Sequence, residues 1–234
     1  DAISVDWTWR SQPIRLFDTA GLRRKSRVAE RLEKLSVTDT LRAIQFAETV
    51  ILMIDAGAPF DKQDLHIADL VYREGRAIVI AVNKWDMVSD QKSFLKHLSD
   101  EAERLLPQMR GIPILPVSAK TGRGISGLMN AIARVRRDWT ARVKTPDLNR
   151  WLEEVERLHP PPAVRGRRIR LRYMAQIKTR PPTFVVFASR AEHLPDSYKR
   201  YLVNGLRDAF GLAGVPIRLS ARKPDNPFAG RKKS

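Results

Sequence analysis

The sequence predicts an α/β domain with a mostly parallel sheet, followed by a small α+β domain. Three nearly continuous apolar runs, at residues 50–54, 77–82 and 114–117, have the length and β-branched content of strands buried on both faces of a parallel sheet. Helical patterns alternate with these runs, as they do in α/β domains. After about residue 145 the predicted order changes to helix, strand, strand, helix, strand, which is typical of an α+β domain.

The first domain opens with two predicted strands. Residues 3–9 alternate between apolar and polar side chains, which indicates a half-buried strand. A turn at residues 11–13 leads to a second strand over 14–17 that ends at Asp18. Because ligands of such sheets bind beyond the carboxyl ends of the strands, functional residues are expected where the strands stop. Helices are predicted near residues 28–47, 62–74, 91–106 and 125–142.

The second domain begins with an amphipathic helix for which Asp147 is a suitable N-cap. The predicted elements are a helix over 147–158, strands at 169–173 and 184–187, a helix over 196–210 and a strand at 217–219. A basic tail with prolines follows the last strand. The predicted boundaries are therefore 1–144 for the first domain, 145–224 for the second and 225–234 for the tail.

Composition excludes several classes of protein. Of the 234 residues, 43% are apolar and 29% are charged, which fits a soluble globular protein. The sequence has no cysteine, so disulfides and thiolate metal sites are excluded, and its four histidines lie far apart. No apolar run approaches the ~20 residues that cross a bilayer, and the first residues do not resemble a signal peptide. We therefore expect a cytoplasmic, monomeric protein without a membrane partner.

The positive charge is concentrated in the C-terminal part. The formal net charge is +17, and residues 150–234 carry 19 Lys and Arg against 7 Asp and Glu, a net charge of +12. This concentration points to a polyanionic partner for the second domain. A merely soluble basic surface is the alternative interpretation.

The motif Asn83-Lys84-Trp85-Asp86 follows a predicted strand and indicates recognition of guanine. The Asp86 carboxylate can accept hydrogen bonds from both the ring N–H and the amino group of guanine. Adenine lacks this pair of donors and would leave a buried carboxylate without partners. We expect the stem of Lys84 to lie along the base and Asn83 to connect neighbouring loops.

A second strand end carries Ser118-Ala119-Lys120. A backbone N–H near Ala119 is expected to donate to the keto oxygen of guanine. Lys120 is expected to pack on the side of the base opposite Lys84. The two motifs therefore describe one guanine site.

Asp18-Thr19-Ala20-Gly21 is predicted to serve the phosphate end of the same nucleotide. The Asp18 carboxylate would hold a water on Mg²⁺, an ion that keeps several of its waters. Gly21 lets its N–H approach the γ-phosphate, and the loop can move when that phosphate leaves. The next residue, Leu22, is apolar and cannot orient an attacking water, which Ras-like enzymes do with a glutamine at this position.

The order and spacing of the motifs make the prediction specific. Their gaps are 65 residues from Asp18 to Asn83 and 35 residues from Asn83 to Ser118, and each motif ends a predicted strand. A phosphate loop of the form G-x-x-x-x-G-K-[ST] is absent from the sequence. We therefore leave the catalytic residues unassigned and expect this stretch of sequence not to hydrolyse GTP efficiently. A backbone group, another residue, a monovalent cation or a partner would have to place the water.

Five segments carry a family resemblance: 18–25 (DTAGLRRK), 83–86 (NKWD), 170–184 (RLRYMAQIKTRPPTF), 194–202 (LPDSYKRYL) and 214–218 (GVPIR). They resemble the second GTPase domain, and the domain that follows it, in the Der (EngA) family. That resemblance implies a P-loop-NTPase-type sheet lacking its start, a KH-like second domain and a first GTPase domain upstream. It implies a bacterial GTPase that binds GTP or GDP with Mg²⁺ and acts in assembly of the large ribosomal subunit. An apolar residue at Leu22 matches the family's own pattern.

RNA contact by the KH-like domain is expected to be electrostatic. Gly211-Leu-Ala-Gly214 has the Gly-x-x-Gly form of an RNA clamp, but it lies between a helix and a strand, which favours a helix C-cap and turn. For the alternating Arg170 and Arg172, a solvated strand face is the alternative interpretation. A second alternative is a sheet that packs on the GTPase domain and reads its nucleotide state. The candidate RNA residues are Arg165, Arg167, Arg168, Arg170, Arg172, Lys178, Arg180, Lys199 and Arg200.

Two functions from different classes fit the sequence. The first is an assembly GTPase whose nucleotide state controls its binding to ribosomal RNA. The alternative is a nucleotide-sensing RNA-binding module with negligible turnover of its own. A structural RNA-binding protein with a decayed nucleotide site is disfavoured by the intact guanine motifs.

Overall fold

A computed structural model describes residues 3–18, 41–164 and 166–224 of the chain. The chain separates into two compact units, Asp1–Arg136 and Arg137–Ser234. The predicted domain boundary between residues 144 and 145 stays a prediction. Within the described ranges, every helix is too short or too polar to span a bilayer.

The first unit contains the predicted alternation of strands and helices. Residues 41–46 are also helical, and short 3₁₀ turns occur at Trp85–Met87 and Pro107–Met109. The strands and helices are β1 (Ile3–Trp9), β2 (Gln12–Asp18), β3 (Thr49–Asp55), α1 (Lys62–Arg73), β4 (Ala77–Asn83), α2 (Gln91–Leu105), β5 (Ile114–Pro116) and α3 (Ile125–Thr140), whose last four residues belong to the second unit.

The three apolar runs form the predicted parallel sheet, in the order β3-β4-β5. Residues 77–82 of the central strand β4 are fully buried, which explains why its sequence is continuously apolar. The register places Asp55, the last residue of β3, opposite Asn83, the last residue of β4. The carboxyl ends of these strands therefore lie side by side, where the sequence predicts function.

Strands β1 and β2 form a separate antiparallel hairpin in the part of the chain that the structure describes. Arg10 and Ser11 both have positive φ, at 47° and 64°, as in the primed two-residue turns that match strand twist. The turn is thus shorter than the predicted one at 11–13. Val5 and Trp7 are 55% and 38% exposed, so the prediction of a half-buried strand overstated the burial of this hairpin.

The second unit has the predicted order of helix, strand, strand, helix, strand. Its helix begins earlier than predicted, because Pro146 lies in the first turn, where its fixed φ suits a helix and its missing N–H is not needed. The cap is Lys144, and Asp147 lies in the first turn, so the assignment of Asp147 as N-cap was wrong. The elements are α4 (Thr145–Leu158), β6 (Leu171–Thr179), β7 (Pro182–Ala188), α5 (Asp196–Ala209) and β8 (Arg218–Arg222).

The three strands form one sheet in the order β6-β7-β8, with β7 antiparallel to β6 and parallel to β8. Side chains complete the backbone hydrogen bonds of β6. Asn149 accepts from the Met174 N–H at 2.8 Å and donates to the Met174 carbonyl at 3.0 Å. Glu156 accepts from the Leu171 N–H at 2.9 Å. These bonds satisfy backbone groups that an open strand edge would expose.

The Gly211-Leu-Ala-Gly214 segment directly follows α5. Gly211 has φ +65°, and the Leu212 N–H donates to the Arg207 carbonyl at 3.0 Å, the 6→1 hydrogen bond of a Schellman cap. Leu212 is buried. This geometry confirms the predicted C-cap and turn.

Candidate nucleotide site

The loops after β4 and β5 meet at the carboxyl edge of the parallel sheet. Backbone hydrogen bonds join the two chain segments: the Val117 N–H donates to the Val82 carbonyl at 2.9 Å, and the Trp85 N–H donates to the Val117 carbonyl at 3.1 Å. The structure therefore brings the predicted residues 83–86 and 118–120 together.

Asn83 connects the two loops, as its position predicts. Its Oδ1 accepts a hydrogen bond from the Ala119 backbone N–H at 3.0 Å. The Asn83 carbonyl also accepts from the Ala56 N–H at 3.0 Å, which adds the loop after β3. The Ala119 amide, which the sequence assigns to the keto oxygen of guanine, thus already has a partner within the protein.

Asp86 and Ser118 form the second link between the loops. The buried Ser118 hydroxyl donates to Asp86 Oδ1 at 2.6 Å and accepts from the Thr121 N–H at 3.2 Å. The hydrogen bond from Ser118, followed by the Asp86 backbone amide and the charge of Lys120, holds the pKa of the Asp86 carboxyl below its usual range. Asp86 is exposed and anionic, and a carboxylate can accept further hydrogen bonds beyond the one from Ser118.

Lys84 is held by a residue that sequence reasoning missed. Lys84 has a left-handed backbone, with φ 63°, and its Nζ lies 2.5 Å from Asp55 Oδ2. Asp55 Oδ1 accepts from the Gly57 N–H at 2.9 Å, so the carboxylate is itself oriented. In the sequence, Asp55 could have been recognised as an acidic residue at the end of a predicted buried strand, because the next predicted strand ends in Asn83.

The Trp85 side chain is buried in the core of the first unit, and its packing stabilises the loop 83–86. It is 4% exposed, and its ring lies 5.8 Å from that of Phe94 on α2. It is part of the buried cluster of the first unit. Its side chain therefore fixes the position of its two neighbours, Lys84 and Asp86, which are exposed.

Two glycines shape the loop after β5. Gly122 and Gly124 have φ +74° and +87°, which L side chains rarely adopt. At Gly124 a Cβ would lie 2.1 Å from the Pro116 carbonyl oxygen, whereas at Gly122 nothing lies within 4 Å. The chain can turn back over β5 at Gly124 only because this residue has no side chain.

The phosphate side of the site is described only in part. Asp18 is the last residue of β2, and the predicted residues Thr19, Ala20, Gly21 and Leu22 lie outside the described residues. Over the ranges that are described, no three acidic or histidine side chains cluster as metal ligands would. The assignment of a Mg²⁺-bound water to Asp18 stays a prediction.

The predicted RNA residues lie on three parts of the second unit. Arg167, Arg168 and Arg170 precede β6 and are exposed, and Arg172 is exposed on the strand itself. Lys178, near the end of β6, and Arg180, in the turn after it, are also exposed. On α5, Lys199 pairs with Asp196 at 3.0 Å and Arg200 is exposed. Arg165 lies outside the described residues. The exposed arginines and Lys178 place positive charge on the surface of the second unit.

Two family models match the chain. Residues 37–137 match the elongation factor Tu GTP-binding domain. Residues 142–222 match the KH-domain-like domain that is C-terminal in EngA bacterial GTPase enzymes. These two matches fit the α/β and α+β units described above.

Curated relatives match the chain over its whole length. GTPase Der of Parvibaculum lavamentivorans is 58% identical over 233 residues, which cover 100% of this chain and 49% of the relative. GTPase Der of Brucella anthropi is 59% identical, with 100% and 48% covered, and that of Rhizobium johnstonii 57%, with 100% and 49% covered. The chain thus spans about half the length of the curated relatives it matches.

Solved GTPase structures are less similar. Era in complex with MgGDPNP and a 16S ribosomal RNA segment is 15% identical, with a TM-score of 0.48, over 94% of this chain and 79% of that one. This level of likeness supports no inference about the chain.

Proposed function

We propose that this chain, which belongs to the Der (EngA) family through its match to the C-terminal half of those proteins, binds GTP and GDP at the loops 83–86 and 118–120. One observation carries the proposal: the Ser118 hydroxyl orients the exposed Asp86 carboxylate at 2.6 Å. A carboxylate held in this way, at the carboxyl edge of a parallel sheet, is placed to accept the two adjacent donors of guanine.

Each residue of the two loops has a distinct part in this proposal. Asp86 accepts from the ring N–H and the amino group of guanine while it keeps its bond to Ser118. The stem of Lys84 lies along the base, and its ammonium stays on Asp55. Lys120 covers the other side of the base. The Ala119 N–H donates to the keto oxygen of guanine, either in place of its hydrogen bond to Asn83 Oδ1 or in addition to it.

GTP hydrolysis is proposed for the intact protein. Relatives that are 57–59% identical to this chain are named GTPase Der, and Asp18 at the end of β2 is the residue expected to hold a Mg²⁺-bound water. Mg²⁺ supplies charge neutralisation on the phosphates when it is bound. Because Leu22 cannot orient the attacking water, we assign that task to another group or to a partner.

The second unit is proposed to bind ribosomal RNA, so that the protein acts in assembly of the large ribosomal subunit under control of its nucleotide state. Its net charge and its exposed arginines support a polyanionic partner, and its family model is a KH-like domain. The second candidate function is an RNA-binding module that senses GTP or GDP with negligible turnover. The paired, oriented guanine loops are compatible with both functions.

Guanine recognition is tested by Asp86→Asn in the full-length protein. The substitution exchanges an acceptor for a donor, so preference should shift from GTP towards xanthosine triphosphate, measured by competition against a fluorescent guanine nucleotide. Asp90→Asn, which changes an acidic cap of α2 outside the two loops, is the matched control. Unchanged GTP affinity in Asp86→Asn would refute the placement of guanine.

Turnover separates the two candidate functions. Phosphate release by the full-length protein is measured with and without large ribosomal subunits. Stimulated release supports the assembly GTPase. Slow release that the subunits do not stimulate, together with intact GTP binding, favours the nucleotide-sensing module.

A further inference from the structure

The sheet of the second unit carries an exposed aromatic pair on one of its faces. Tyr173 on β6 and Phe187 on β7 are cross-strand neighbours, and their rings stack with centroids 4.2 Å apart and planes 15° apart. Tyr173 is 43% exposed, and Phe187 is half-buried. A ring pair at this exposure stabilises the hairpin and still leaves aromatic surface open to a ligand.

The opposite face of the same strands is closed. Met174, Phe184 and Val186 point to that face and are fully buried. Strand residues alternate between the two faces, so Tyr173 and Phe187 lie on the other face, together with Val185, which is buried at the centre of the sheet. On this second face Tyr173, Lys178, Ser220 and Arg222 are exposed, and neither ring of the aromatic pair belongs to the buried core.

Positive charges lie at both ends of the aromatic face. The strand register places Arg222 of β8 beside Phe187, and it places Lys178 and Arg218 on either side of Thr183. Between these two rows lies the row of Ala175, Val185 and Ser220, so none of the nine residues in the three rows is acidic.

We propose that this face, formed by Tyr173, Phe187, Lys178, Arg218 and Arg222, binds a single-stranded segment of RNA by stacking unpaired bases against the aromatic pair. The inference rests on the proposed RNA function of the second unit and names the site and the form of RNA it takes. Bases stack on aromatic side chains irrespective of sequence, and cations beside them contact the phosphates.

The dimensions of the face fit a short run of nucleotides. Phe187 lies four residue steps from Thr183 along β7, so the two charged rows lie roughly 13 Å apart at about 3.3 Å per residue. Sheet platforms of this kind stack about two or three bases. A duplex, whose bases are already stacked on each other, offers no free base surface to the pair. The face therefore selects single strands.

The test measures binding of the full 234-residue chain to a fluorescein-labelled 12-nucleotide oligouridine, by anisotropy, and to a hairpin duplex of the same length. The wild-type chain should prefer the single strand. Tyr173→Ala should weaken single-strand binding roughly ten-fold, the loss of one stacked base, whereas Tyr173→Phe should bind within about two-fold of wild type. A 2-aminopurine in the oligonucleotide should lose fluorescence on binding wild type and lose much less with Tyr173→Ala.

Tyr201→Ala is the matched control, because Tyr201 lies on α5 and is 40% exposed. It should bind the single strand like wild type. If Tyr173→Ala and Tyr201→Ala bind alike while the wild-type chain binds RNA with a steep salt dependence, this inference is wrong and the proposed RNA function stands. If the wild-type chain binds neither RNA, both fail. Circular dichroism of each variant establishes that the fold is retained.

Discussion

Replacing Gly124 by alanine should destabilise the first unit much more than the same change at Gly122. Both glycines lie in the loop after β5, and both have a left-handed backbone, with φ +87° and +74°. They differ in what a side chain would meet. The pair therefore separates the cost of backbone strain from the cost of a steric clash.

The magnitudes follow from this geometry. An alanine in the left-handed region costs about 1–2 kcal/mol, and at Gly122 nothing else adds to this, because no atom lies within 4 Å of the new Cβ. At Gly124 the Cβ would lie 2.1 Å from the Pro116 oxygen and 3.1 Å from the Val117 Cα. Relieving that overlap requires a backbone shift, which costs about 1–3 kcal/mol more. We expect about 2–5 kcal/mol for Gly124→Ala and about 1–2 kcal/mol for Gly122→Ala.

The assay is urea unfolding of the two variants and the wild type, followed by circular dichroism, with amide exchange of β4 to report on the first unit alone. Gly124→Ala should also disturb Ser118, whose N–H donates to the Arg123 carbonyl at 2.9 Å. Equal free energies of unfolding for the two variants would refute the close approach of Gly124 to β5.

Replacing Asp55 by asparagine should weaken guanine-nucleotide binding of the full-length protein by up to about five-fold, the usual limit for a part-exposed ion pair. The control Asp69→Asn, which removes an exposed ion pair of α1, should leave this affinity unchanged. Equal affinities by fluorescence titration would count against the role of Asp55. Replacing Ser118 by alanine should raise the pKa of the Asp86 carboxyl, because the lost hydrogen bond is the largest cause of its lowering. Asp86 acts as an anion, so when the pH is lowered the variant should lose guanine binding at a higher pH than the wild type does. An NMR titration of the Asp86 carboxyl carbon measures the change in pKa. An unchanged titration would contradict the hydrogen bond from Ser118. Replacing Gln176 by leucine should lower the free energy of unfolding of the second unit by about 2 kcal/mol, since its buried amide bonds to three backbone groups that would lose their partner. A urea midpoint equal to wild type would refute this.

The parallel sheet and the meeting of the loops 83–86 and 118–120 at its carboxyl edge could be predicted because their signals are local. A continuous apolar run indicates a strand buried on both faces, and the motif after it marks the strand's carboxyl end. The contact between Asp55 and Lys84 depends instead on the register of β3 against β4. Register is poorly specified by runs that do not alternate, because shifting them exposes no polar side chain.

The stacking of Tyr173 on Phe187 could not be predicted from the sequence, and the reason is again strand register. The pairing of β6 with β7 shifts between Leu171 and Tyr173 and again between Gln176 and Lys178. Each shift changes which residues share a face, so alternation in the sequence of β6 does not give its cross-strand neighbours. Sequence therefore predicted the strands, and only the register could place the rings together.

In the proposed guanine site, two side chains are already held in position before a base binds. Asp86 is oriented by Ser118, and the ammonium of Lys84 by Asp55. A carboxylate has about four acceptor positions, so guanine can add its two donors to Asp86 without displacing the serine. Ordering these side chains is thus completed on folding rather than on binding, which lowers the entropic cost of taking up the base. Adenine lacks the two adjacent donors, so in the proposed site the same fixed carboxylate favours guanine and serves affinity and specificity together.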